Sequence, residues 1–123
     1  MNKVKVCIWG RYFELPVSFQ NYPGEEVTQV QQHTLDAIPS VNFSGSLASV
    51  EQYILKYDST EIGSDHVDNI FKYVMPKNVL ITRNDKDRQF AVMCNYKFDM
   101  EHGLAVVFEN EEFKTVGAQD IIL

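Results

Sequence analysis

Phe90-Ala91-Val92-Met93-Cys94-Asn95-Tyr96-Lys97-Phe98-Asp99-Met100-Glu101-His102-Gly103-Leu104-Ala105-Val106-Val107-Phe108 is the stretch on which the fold turns. Phe90, Val92, Cys94, Tyr96 and Phe98 recur at every second position, the period of a strand with one face on a core, and Leu104, Val106 and Phe108 resume it. Between them Asp99, Glu101, His102 and Gly103 break the alternation with turn-forming chemistry, so the spacing predicts two antiparallel strands and a short connection. Upstream, Val79-Leu80-Ile81-Thr82 reads as a further strand ahead of the polar Asn84-Asp85-Lys86-Asp87 tip. Downstream, Asn110-Glu111-Glu112 turns the chain into a return strand from Phe113 to Val116, giving a meander of three or four strands. The apolar end, Ile121-Ile122-Leu123, is expected to be packed or paired.

The N-terminal twenty residues form a second period-two region. Val4, Val6 and Ile8, then Phe13, Leu15, Val17 and Phe19, flank Gly10-Arg11 and predict a hairpin. Pro16 lacks a donor N–H, which places its strand at an edge or next to an irregularity. Between hairpin and meander the period lengthens to that of a helix. Thr28 and Gln31 have the spacing of a capping box opening a helix from about Thr28 to Ile38, ended before Pro39. Leu47, Val50, Tyr53, Ile54 and Tyr57 mark a second helix over Ser46 to Tyr57. Val67, Ile70, Phe71 and Val74 mark a third over Ser64 to Val74, capped by Ser64 or Asp65, with Pro76 beyond its end. The order ββ, ααα, ββββ predicts an α+β fold: an antiparallel sheet of N-terminal hairpin plus C-terminal meander, with about three helices on one face.

The 123 residues, 45% hydrophobic, suit one domain over 1–123 with a substantial core. Eleven basic against 17 acidic residues leave a net charge of −6, which opposes nucleic-acid phosphates and anionic lipid. No run approaches the roughly 18 apolar residues of a membrane span. The start, Met1-Asn2-Lys3-Val4-Lys5-Val6, reaches charge before a signal-like core, so the expected address is cytoplasmic. Cys7 and Cys94 are far apart, without CxxC or ligand-spaced His; both are expected as buried reduced thiols. No GxxxxGK or GxGxxG occurs, and neither a cofactor nor a metal site is expected.

Two constellations remain. Asp99, Glu101 and His102 put two carboxylates and an imidazole on one connection, the composition of general acid–base work or part of a metal site. The competing account is a structural turn, in which Asp99 accepts backbone N–H groups, His102 pairs with a carboxylate and Gly103 takes a positive φ. Residues 98 to 113 hold Asp99, Glu101, Glu109, Glu111 and Glu112 and no Lys or Arg, so one end of the meander is expected to be acidic and to suit a basic partner. Asn84-Asp85-Lys86-Asp87 lacks the order and the distal Glu of a calcium loop. Asp65-His66-Val67-Asp68 places acids where a helix start favours them.

Phe71-Lys72-Tyr73-Val74-Met75-Pro76, the run Cys94-Asn95-Tyr96-Lys97-Phe98-Asp99 with Glu101-His102-Gly103-Leu104, and the closing Val116-Gly117-Ala118-Gln119-Asp120-Ile121 resemble a family of small bacterial domains of unknown function. Its members carry a tryptophan-aspartate, glutamate-histidine-glycine signature before a strand and a glycine-x-x-aspartate segment near the C terminus. Tyr22-Pro23-Gly24-Glu25-Glu26-Val27-Thr28 is also similar, so the resemblance spans most of the chain. Phe98 stands where the family has tryptophan. The resemblance implies a fold and, by analogy with domains encoded near contact-dependent toxins, an immunity role.

The leading expectation is therefore a non-enzymatic protein-binding module. It would hold a basic partner such as a toxin through Glu109, Glu111, Glu112 and Asp99. The alternative is a small hydrolase or metal-dependent enzyme using Asp99, Glu101 and His102.

Overall fold

The computed structural model describes residues 2–123. Strands β1 (Lys3–Ile8), β2 (Arg11–Phe19), β3 (Val74–Ile81), β4 (Gln89–Tyr96), β5 (Leu104–Glu109) and β6 (Glu112–Gly117) form one sheet in sequence order. Helices α1 (Gln29–Ala37) and α2 (Ser44–Ile62) lie between β2 and β3. Short 3-10 turns occupy Ile38–Ser40, Ile70–Lys72 and Gln119–Ile121.

The hairpin and the meander form, with β3 to β6 as four antiparallel neighbours. The purely antiparallel sheet does not: β2 and β3 run parallel, with Val17 opposite Val79 and Phe19 opposite Ile81. The two helices form a crossover that returns the chain to the end of the sheet where β2 began, and the sheet is mixed. Pairing with β3 starts at Val17, directly after Pro16, so the missing N–H falls where β2 has no ladder on that side.

The third predicted helix is also absent. Gly63, at φ 71°, ends α2 in a left-handed cap. After it, polar side chains bond the backbone locally: Ser64 Oγ accepts from the N–H of His66, and Asn69 Oδ1 accepts from that of Phe71. One 3-10 turn then buries Ile70, and Val74 enters β3 opposite Tyr96. Pro76 sits in that strand beside a bulge between Pro76 and Asn78. The apolar spacing that reads as helical serves a turn and a strand start.

The front of the sheet carries the main core. Val4, Val6, Ile8, Leu15, Val17, Val79, Ile81, Phe90, Val92, Cys94, Tyr96, Leu104, Val106 and Phe108 pack against Ile38, Val41, Phe43, Val50 and Ile54. Phe43 meets Phe108 edge-on at 5.0 Å, and Phe90 stacks on Phe108 at 5.1 Å. A smaller cluster lies behind, where Ala91, Met93, Ala105 and Val107 are covered by Leu80 and Ile122. This is why β4 and β5 are buried on both faces while β1 alternates strictly. Burial pushes the Cys94 thiol up to about 12. Cys7, expected inside, is instead exposed on the back of the edge strand β1, where none of the described residues buries it.

Candidate functional sites at the two ends of β5

The connection before β5 is a tight turn. Asp99 accepts the His102 N–H at 3.1 Å, and its carboxylate oxygens lie 3.1 Å from His102 Nδ1. The Gly103 N–H donates to the Asp99 carbonyl at 2.9 Å. The His102 N–H holds the Asp99 carboxyl below the usual range, and the Asp99 hydrogen bond raises His102 above its ordinary value. Asp99 thus orients the imidazole, as in a general-base pair. Glu101 is exposed on the same turn.

The C-terminal segment closes over this turn. The Gln119 N–H donates to the His102 carbonyl at 3.1 Å, and Gln119 Nε2 to the Cys94 carbonyl at 3.1 Å. Gly103 has φ 60°, and a Cβ there would stand 2.6 Å from both the Cys94 oxygen and Gln119 Nε2. A Cβ on Gly117 would meet Ile121 at 3.0 Å. The two segments quoted for the family resemblance, one around Glu101-His102-Gly103 and one from Gly117 to Asp120, therefore meet in space as one closure. Beside it an aromatic group reaches the surface. Tyr96, buried, donates to Asp58 at a kink in α2, and Tyr53 packs edge-on to Tyr96 and tilted against the exposed Tyr57.

The connection after β5 is a two-residue tip with Asn110 and Glu111 at φ 52° and 68°. Arg88 grips Glu111 with two bonds of 2.8 and 3.0 Å, and Lys114 binds Glu109 at 2.7 Å. Asn110 Nδ2 donates to Asp87 at 3.1 Å, tying the tip to the β3–β4 connection. Glu112 is exposed. Of the residues expected to form one partner surface, Glu109, Glu111 and Glu112 stand together, while Asp99 lies at the far end of β5. Lys114 follows the cation-free window by one residue, and Arg88 reaches it from the chain before β4.

A hub not singled out from sequence sits where β2 and β3 end. Gln31, fully buried, accepts from the Thr28 N–H and from Asn21, and donates to the Gln20 carbonyl, completing the predicted capping box inside the core. Arg83 joins Glu25 at 2.8 Å and also binds Asp85. The capping spacing was the one sequence signal for this hub. His33 lies on α1; His66, in the loop after α2, bridges Asp65 and Asp68. Among the described residues no three His, Cys, Asp or Glu are placed to hold one metal ion. A cavity of about 230 Å³ is lined by Lys5, Tyr12, Phe13 and Glu14, away from both ends of β5.

A family model described as a domain of unknown function, DUF6985, matches residues 2–123, from before β1 to the closing segment. The chain belongs to this family. No curated protein and no solved structure matches this chain. None of its described helices is long and apolar enough to cross a membrane.

Proposed function

We propose that this DUF6985 domain is a non-enzymatic, cytoplasmic protein-binding module whose partner is basic, such as a toxin that it neutralises. One observation carries the reading. The Asn110–Asp87 and Arg88–Glu111 bonds join the β3–β4 and β5–β6 connections into one rigid surface. On it Asp85, Asp87, Glu109, Glu111 and Glu112 outnumber the cations Arg83, Lys86, Arg88 and Lys114. A pre-organised surface loses little entropy on binding, and local negative charge steers a basic partner. Since Glu109 and Glu111 also hold the tip together and Asp85 binds Arg83, the informative variant changes Glu112, which is exposed. Glu112→Lys is expected to weaken capture of the basic partner that the wild type takes from its source lysate, at unchanged thermal stability. Equal capture by the variant would show that the tip is not the contact.

The Asp99–His102 pair favours a second reading, a hydrolase or metal-dependent enzyme with Glu101 as a further acid or ligand. A rise in melting temperature with a divalent ion, abolished by His102→Ala, is the result its metal version requires.

A further inference from the structure

We propose that the uncovered part of the sheet's back face, carried by β1, the β2 residues that pair with it and the bulge at Lys77 in β3, docks an acidic segment of another protein. The reading uses a different face from the tip described above and stands whether or not that one does.

The alternation of β1 buries Val4, Val6 and Ile8 on the front and leaves Lys3, Lys5 and Cys7 exposed behind. Their cross-strand neighbours Pro16, Glu14 and Tyr12 share that face, and Tyr12 is 84% exposed. Lys77 is exposed although β3 is an interior strand with its front under the helices, so its side chain emerges at the back, at the bulge. Ile122 covers the back of β4 and β5, over Ala91, Met93, Ala105 and Val107. Ile122 reaches β2 only past its end, at Gln20, and among the described residues Lys3, Lys5, Cys7, Tyr12 and Glu14 stay exposed on the back of β1 and β2.

This bare part has a charge opposite to that of the molecule. Lys3, Lys5 and Lys77 stand against one carboxylate, Glu14, which lies 3.9 Å from Lys3, in a chain of net charge −6. Neither Lys5 nor Lys77 forms an ion pair among the described residues. Just before β3, Lys72 and Lys97 each lie 5.8 Å from the Tyr73 ring and extend the basic rim. The cavity of about 230 Å³, lined by Lys5, Tyr12, Phe13 and Glu14, lies beside this field. Ammonium groups beside an aromatic-walled recess suit a segment that brings carboxylates and one apolar side chain.

Screening decides between a short acidic segment and a long polyanion. The Debye length is about 8 Å at physiological salt, so a segment confined to this face senses the nearby lysines and little of the distant carboxylates. A nucleic acid extends past the patch and meets the acidic remainder.

The test is selection of displayed random peptides of about 16 residues at about 150 mM salt, against the wild type and a Lys5→Glu/Lys77→Glu variant. The expected result is enrichment of Asp- and Glu-rich sequences that bind the variant at least about tenfold more weakly. In labelled wild-type protein such a peptide should shift the amides of β1, Tyr12 and Lys77. Melting temperatures of the two proteins should agree, because both lysines are exposed; if the variant fails to fold, Lys5→Gln/Lys77→Gln replaces it. Neutral or basic winners, equal binding to the variant, or no enrichment overturns the proposal. So does tighter binding of single-stranded DNA, or self-association lost in the variant, since either assigns the face to another occupant.

Discussion

The two connections that flank β5 have similar composition and different fates. Before the strand, Asp99, Glu101 and His102 sit in a turn over which the chain's own C-terminal segment closes. After it, Glu109, Glu111 and Glu112 sit on an open tip gripped by cations from β6 and from the chain just before β4. Acidic residues in a turn thus acquire their role from what packs on the turn. At the first connection the Asp99 carboxylate binds within its own turn and Gln119 takes the His102 carbonyl; at the second the carboxylates bind cations from outside the tip.

The sharpest way to break the contrast is Gly103→Ala. Its Cβ would face backbone and a packed amide at a positive φ, so a loss of about 3 kcal/mol and a melting temperature lower by roughly 10 °C are expected in thermal unfolding. A near-neutral result would mean that the closure yields. Next comes Ile122→Ala, which uncovers Ala91, Met93, Ala105 and Val107 and should cost about 1–2 kcal/mol by denaturant titration. A smaller effect belongs to the tip. Arg88→Ala should leave the melting temperature nearly unchanged while amide exchange at Asn110, Glu111 and Glu112 speeds up, because an exposed pair adds local order more than global stability. Equal protection in the variant would show that the tip holds itself.

The smallest effect is the pH dependence of the Asp99–His102 pair. His102 binds its proton more tightly when folded, so its share is fully present below the ordinary value of 6.5 and fades as pH rises through the raised one. Asp99 contributes above its ordinary 3.8 and loses that share as pH falls through the lowered value. The pair therefore supports the fold most between those two ordinary values. Asp99→Asn should flatten the difference in melting temperature between about pH 5 and about pH 9. An unchanged profile would mean that the pair is idle in stability.

Much of this fold was legible because period-two alternation records burial: the hairpin and the whole meander follow from it. The capping box was legible too, since Thr28 and Gln31 interact within one turn. The parallel seam was not, because alternation states which face is buried and is silent on strand direction. The segment Ser64 to Val74 misled because four apolar residues at helical spacing outweighed the Ser, Asp and Asn between them, whose side chains bond the local backbone. At the site, Asp99 and His102 were legible as a turn or a pair, which they are. Arg88 was hidden by register: it lies far from Glu111 in sequence and beside it across the β4–β5 ladder. Lys114 stood one residue beyond the window counted.

The parallel seam also governs how fast the chain finds its shape. The hairpin and the meander each close through neighbouring strands, so each can pair early, whereas Val17 meets Val79 only after both helices have been laid between them. The sheet is thus two local ribbons joined by one distant weld, and the weld sets the rate. Val79→Ala should slow refolding in stopped-flow experiments, while Val6→Ala, on the outer strand, should chiefly hasten unfolding. Until the weld closes, the edges of β2 and β3 are both bare, and in that interval the chain is most open to pairing with the wrong neighbour.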